Sequence, residues 1–210
     1  MHKDGFIGRI EWAMAGRALP GQQASGDRGV VLDAGDGTVL FAVLDGLGHG
    51  AAAADAAEHA DAVLAEHRTE PLEMLMNRCH RVLSDTRGAA ISLARFGEDD
   101  TVHWIGVGNV ESQVVTAGPA GPSVHATILL TAGIVGYRLP PNLQPQSIPV
   151  RPGDLLLMST DGIVAESATE VDLSKSTAEI TAEILARYAK DTDDALVLAA
   201  RHRGSTRARA

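Results

Sequence analysis

A single cysteine, Cys79, in 210 residues excludes an internal disulfide framework and agrees with a reducing compartment. Long apolar runs are missing too. The longest are strand-sized, and no window approaches the roughly 20 residues that a membrane-spanning helix needs. The first ten residues, MHKDGFIGRI, hold no apolar core of signal-peptide length, so a cytoplasmic protein without a membrane partner is expected. Positive charge is scarce, with 18 Lys and Arg against 27 Asp and Glu. The net charge of −9 argues against binding by broad attraction to phosphate backbones, and no nucleic-acid partner is expected. There is no internal repeat, and no linker rich in Pro, Gly or Ser divides the chain. A chain of this length buries roughly 70% of its unfolded surface, so residues 1–200 read as one domain, expected as a monomer. Residues 201–210, RHRGSTRARA, carry four arginines and almost nothing apolar, and read as a solvated basic tail.

What is present is strand, turn and acid. Gly29–Leu32 and Thr38–Leu44 flank Asp33-Ala34-Gly35-Asp36-Gly37, whose residues are turn formers, so a hairpin is predicted with Asp36 inside the turn. If Leu32 faces Val39, Asp27 lies opposite Leu44, and Asp27 and Asp45 stand side by side at the open end. The alanine-rich stretch His49–His67 predicts a helix. A second begins near Pro71, with Thr69 as a candidate cap and Leu72, Leu75, Met76, Cys79, Val82 and Leu83 on one stripe. Cys79 on that stripe reads as a buried, inert thiol. Residues 89–96 and 102–110 predict a second hairpin about Gly97-Glu98-Asp99-Asp100, with 113–116 and 127–130 continuing the sheet. Leu155–Met158 ends in Ser159-Thr160-Asp161-Gly162. Ser176-Thr177-Ala178-Glu179 is a capping-box sequence ahead of a helix. Asp191-Thr192-Asp193-Asp194 leads into a last strand, 195–199, whose antiparallel pairing with 155–160 brings Asp193 or Asp194 beside Asp161.

Two such pairings put two aspartates each at a sheet end. Carboxylates crowded together raise one another's pKa unless a cation neutralises them, and Mg²⁺ or Mn²⁺ suits oxygen ligands with several waters. The glycine after each strand-end acid permits a sharp turn and leaves room for a backbone carbonyl ligand.

The set Ser25-Gly26-Asp27, Asp45-Gly46-Leu47-Gly48-His49-Gly50, Gly106-Val107-Gly108-Asn109-Val110-Glu111, Ser159-Thr160-Asp161-Gly162 and Asp193-Asp194, in this order, resembles the metal-dependent serine/threonine phosphatases of the protein phosphatase 2C (PPM) family. Within them it is similar to the small bacterial SpoIIE-like branch, over about residues 20–200. The resemblance implies an α+β fold, a four-layer αββα sandwich of two mostly antiparallel sheets. It implies two Mn²⁺ or Mg²⁺ ions, with Asp45 bridging, Gly46 offering its carbonyl, and Asp161 and Asp193, the first acid of the last pair, on the second ion. Asp27 acts through water, and Asp27, Asp45 and Asp161 are the implied catalytic acids. The implied substrates are phosphorylated STAS-domain proteins of a stressosome or partner-switching module. Two departures stand out. Leu47 takes the place where the eukaryotic branch has histidine, so His49 reads as a structural residue closing the turn. Ala195 stands where a hydroxyl residue is usual, which supports an alternative, a phosphoprotein-binding adaptor without turnover. Arg28 and Arg87 read as surface arginines within reach of a substrate phosphate.

Overall fold

Leu40–Leu44 runs apolar without alternation because its strand is covered on both faces. The computed structural model describes residues 1–35, 37–97, 99–118, 121–127 and 130–204. Its strands are β1 (His2–Ile7), β2 (Ile10–Arg17), β3 (Asp27–Gly35), β4 (Thr38–Gly46), β5 (Ala89–Phe96), β6 (Thr101–Val107), β7 (Glu111–Gly118), β8 (Gly121–Thr127), β9 (Gln146–Pro149), β10 (Leu155–Ser159) and β11 (Ala195–His202). Its helices are α1 (Ala51–His67), α2 (Leu72–Val82) and α3 (Thr177–Tyr188), with short 3₁₀ turns at Leu83–Asp85 and Ala165–Glu170. One sheet has the order β3-β4-β5-β6-β9 and the other β1-β2-β11-β10-β7-β8. All neighbouring strands are antiparallel.

The two faces of β4 enter two different cores. Leu40, Ala42 and Leu44 cluster with Ala56, Ala60 and Leu64 of α1 and with Leu75, Met76 and Cys79 of α2. Val39, Phe41 and Val43 meet Met14, Leu156, Met158, Leu196 and Leu198 of the second sheet. On that sheet's outer face, Leu155, Leu157 and Val197 pack on Ile180 and Ile184 of α3. The layers therefore run helix, sheet, sheet, helix, the expected sandwich, and each interface is closed by burying apolar surface. Cys79 has no exposed surface, and burial pushes its thiol up to about 12, so it fills space as a neutral group.

Several expectations need correction. In the first hairpin Leu32 faces Leu40, and Asp27 faces Asp45 directly. The register slips between Asp33 and Gly35, where an irregularity absorbs a residue; Asp33 accepts the Gly35 N–H at 2.9 Å, and Gly35 sits at φ 79°. Asp36 lies outside the described residues. Pro71 is itself the N-cap of α2, with no side-chain cap, so Thr69 does not serve. Strand β8 occupies 121–127, ahead of the expected 127–130, of which Ile128 and Leu129 lie outside the described residues. The capping box of Ser176 and Glu179 is present. The tail starts later than residue 201. Arg201 and His202 are buried in β11, where the Arg201 guanidinium donates to the Lys175 carbonyl at 2.7 Å and lies near Glu11. Arg203 pairs with Glu11 as well, and residues 205–210 lie outside the described residues.

Candidate metal centre

Asp27 opens β3 and Asp45 is the last residue but one of β4, so their direct pairing puts two carboxylates at one end of the first sheet. Asp161 follows β10, and Asp193-Asp194 precedes β11; these strands pair antiparallel, Ser159 against Val197. The same end of the second sheet therefore carries the other acids, and the sandwich brings the sets together. Thr160 spans the seam. Its hydroxyl donates to Oδ2 of Asp27 at 2.6 Å and accepts the Leu196 N–H at 3.0 Å. Asn109, in the Gly108-Asn109 turn after β6, donates to Oδ2 of Asp161 at 2.5 Å, and its amide also favours the charged form of Asp45. Sequence reasoning left Asn109 without a role, because a polar residue beyond a strand looks like any other turn residue.

The two acids of the last pair do different things. Asp194 is buried, and it accepts the Leu19 N–H at Oδ1 and the Gly26 N–H at Oδ2, both at 2.7 Å. It closes the 19–26 segment onto β11 and has both oxygens engaged. Asp193 is half-buried, and its Oδ1 accepts the Asp194 N–H at 2.8 Å, which leaves its other oxygen without a partner among the described residues.

Glycine is required where the backbones of the site meet. A Cβ on Gly46 would stand 2.1 Å from the Ala53 carbonyl oxygen, and one on Gly162 would stand 1.8 Å from that of Asp194. Gly46→Ala is therefore expected to push α1 off the end of β4 and cost at least about 1–3 kcal/mol of stability, because the obstacle is helix backbone. A thermal melt of that variant matching the native protein would show that the close approach carries no strain.

The electrostatics follow from this crowding. Among the described residues, none of Asp27, Asp45, Asp161, Asp193 or Asp194 has a side-chain ion pair; the Lys190 ammonium nearby donates to the Asp161 backbone carbonyl at 2.6 Å. Burial first, then the charge of Asp45, pushes the Asp27 carboxyl up to about 8, against the Thr160 hydrogen bond. Burial first, then Asp161, Asp193 and Asp194, pushes Asp45 up to about 7. Among the described residues no three Asp, Glu, His or Cys side chains form a ready-made cage. The donor set still fits hard divalent cations, which take carboxylates one or two at a time and fill the rest of their shell with carbonyls and water. What the cluster lacks is positive charge.

His49 is exposed and makes no hydrogen bond among the described residues, so it does not close the turn after Asp45. Leu47 does that, its N–H donating to the Gly88 carbonyl at 3.0 Å. Arg28 is held away from the acids by Asp61 and Glu58 of α1, at 2.6 and 3.3 Å.

Comparison with known proteins agrees with this geometry. The profile of the family described as Stage II sporulation protein E (SpoIIE) matches residues 35–207. The phosphoserine phosphatase RsbX of Bacillus subtilis is 24% identical over 152 residues, 71% of this chain and 74% of that protein. A structure from work on the bacterial stressosome, described as a modular system adapted to control secondary messenger signalling, is 32% identical. It superposes with a TM-score of 0.81 over 91% of this chain and 99% of that one. RsbX in complex with magnesium superposes at 0.80 with 20% identity, over 96% and 99%. With two antiparallel sheets flanked by helices and the family profile covering most of its length, the chain belongs to the SpoIIE family of protein phosphatase 2C-type domains.

Proposed function

We propose that this chain is a divalent-cation-dependent phosphatase that removes phosphate from serine or threonine of phosphorylated STAS-domain proteins in a stressosome or partner-switching module. Asp27, Asp45 and Asp161 are the reacting acids, and Asp27, Asp45, Asp161, Asp193 and the Gly46 carbonyl hold two Mn²⁺ or Mg²⁺ ions. The observation that carries this reading is the cluster of acids on the seam between the sheets, with no side-chain ion pair to any of them among the described residues. The stressosome and RsbX relatives support the class of partner.

Bound at the seam, such ions would activate water and withdraw charge from the phosphoryl oxygens. The chain's own groups set the stage. Thr160 holds one oxygen of Asp27 and so aims the other. Asn109, which follows β6 of the first sheet, holds the Asp161 carboxylate beyond β10 of the second. Lys190 fixes the Asp161 carbonyl, which leaves the side chain to face the acids opposite. Asp194 holds Gly26, and with it the start of β3 and Asp27. Such outer contacts keep ligands in place and are worth roughly 10–100-fold in metal affinity or activity.

The test is phosphate release from a phosphoserine-bearing STAS-domain protein and from p-nitrophenyl phosphate, with Mn²⁺, with Mg²⁺ and with EDTA. Release that needs the cation is expected. Release undiminished by EDTA would remove the metal from the mechanism, and cation binding without release would leave a phosphoprotein-binding adaptor.

A further inference from the structure

The protein is acidic overall, yet its uncommitted positive charge collects beside the site. Among the described lysines and arginines, only Lys3, Arg81, Arg87, Arg138 and Arg151 make neither a side-chain hydrogen bond nor an ion pair. Three of these, Arg81 at the end of α2, Arg87 after the 3₁₀ turn that follows it, and Arg138, lie on two segments that pack on one another. Gly136 donates its N–H to Nδ1 of His80 at 2.9 Å, and Ala89 and Val135 exchange both backbone hydrogen bonds at 2.9 Å. A Cβ on Gly88 would stand 2.7 Å from Ile134 Cγ2, and one on Gly136 would stand 2.7 Å from the Leu83 carbonyl. The stretch 81–87 and the turn 134–138 therefore make one surface.

Through Arg87 that surface reaches the loop that follows Asp45. Its neighbour Gly88 takes the Leu47 N–H, and its Nη1 lies 3.0 Å from where a Cβ of Gly48 would be, against a glycine at φ 85°. Gly48 is three residues beyond Asp45. In the same patch Tyr137 is 82% exposed, with Val82 43% exposed at the end of α2. Asp85 is the acid within the patch, and Glu70, within electrostatic reach of Arg81, is already held by Arg78 through two bonds of 2.6 and 2.7 Å. A largely apolar tyrosine among unpaired arginines has the composition of an interface anchor, where Tyr and Arg are enriched.

We propose that this surface docks the acidic face of the phosphoprotein substrate, with Arg87 leading from the dock to the phosphoserine. A partner carrying Asp or Glu around its phosphoserine complements the three guanidinium groups, whereas the rest of this chain, at −9 overall, repels it. Arg87 supplies the bidentate donor geometry that a phosphate dianion accepts. The inference rests on the proposed phosphatase activity for its substrate class.

The experiment compares two phosphoserine peptides in Mg²⁺ or Mn²⁺, one flanked by Asp and Glu and the other by Asn and Gln, with p-nitrophenyl phosphate as a substrate too small to reach the dock. The native protein is expected to favour the acidic peptide about tenfold in kcat/KM, with the preference shrinking at high salt. Arg81→Glu with Arg138→Glu should erase it through KM and leave turnover of the small ester unchanged. Arg81→Gln with Arg138→Gln serves if the reversed pair fails to fold. Equal use of both peptides by the native protein, or a preference that survives in the variant, overturns the dock. If the native protein hydrolyses nothing, the activity falls, and fluorescence anisotropy with labelled peptides decides the dock. Tighter binding of the acidic peptide, lost in the variant, sustains it, and equal binding overturns it.

Discussion

Asp45→Ala is expected to lower cation-dependent phosphate release by at least about 1,000-fold, a loss of roughly 4 kcal/mol of transition-state stabilisation. Asp45 is the carboxylate on which Asp161, Asp193 and Asp194 all act, so no neighbour can take its place. The same substitution should leave the melting temperature in EDTA unchanged or raise it, since it removes a charge that the metal-free cluster disfavours. This pairing of outcomes separates a site residue from a structural one, because a buried structural aspartate costs stability when it is lost. Thr160→Val should sit between the extremes. It keeps the carboxylates but frees Oδ2 of Asp27, and a 10–100-fold weaker response to added Mg²⁺ is expected. Full activity in Asp45→Ala would sink the assignment of the centre.

Metal-free protein should lose stability as the pH rises from about 4 to about 8. The sign follows from the two raised carboxyls. Below the unfolded value near 3.8, Asp27 and Asp45 carry protons in both the folded and the unfolded chain, so they contribute no difference. Above it the unfolded chain releases those protons while the folded chain holds them, up to about 7 at Asp45 and about 8 at Asp27. Each step of pH in that window then favours unfolding, by several kcal/mol in all. A divalent cation competes with the same protons, so its stabilising effect should grow across the window and be largest above pH 8. Thermal melts from pH 5 to 8.5, in EDTA and in Mg²⁺, check both limbs. Parallel curves in the two conditions would mean that the cation does not meet these carboxyls.

How far the sequence carried this picture differs from element to element. The meeting of Asp27 with Asp45 was legible because a Gly- and Asp-rich turn between two apolar runs forces a hairpin, although the irregularity at Asp33–Gly35 moved the register by one residue. The approach of the last acids to Asp161 was legible for the same reason, since two strongly apolar strands had to pair. Strands β1 and β2 were missed. The edge strand β1, largely exposed, carries polar residues on both faces, and the turn between them is only Gly8-Arg9, with Gly8 at φ 54°. The short, half-exposed β9 had no pattern to read. Nor could sequence distinguish Asp193 from Asp194. That difference is made by the N–H groups of Leu19 and Gly26, far away along the chain. Arg201 misled because arginine usually means solvent, whereas here Glu11 on β2 and the Lys175 carbonyl receive it inside the fold.

The acids are divided between the sheets, with Asp27 and Asp45 on one and Asp161, Asp193 and Asp194 on the other. Neither sheet alone displays the cluster, so it comes into being only when the two dock face to face. Its formation is thus coupled to the docking of the sheets, and repulsion within it opposes that closure. A cation bound there would act as a latch on the finished sandwich. It would slow the opening of the sheets while doing little for the speed at which they first assemble, and the concentration of free cation would set the lifetime of the folded state.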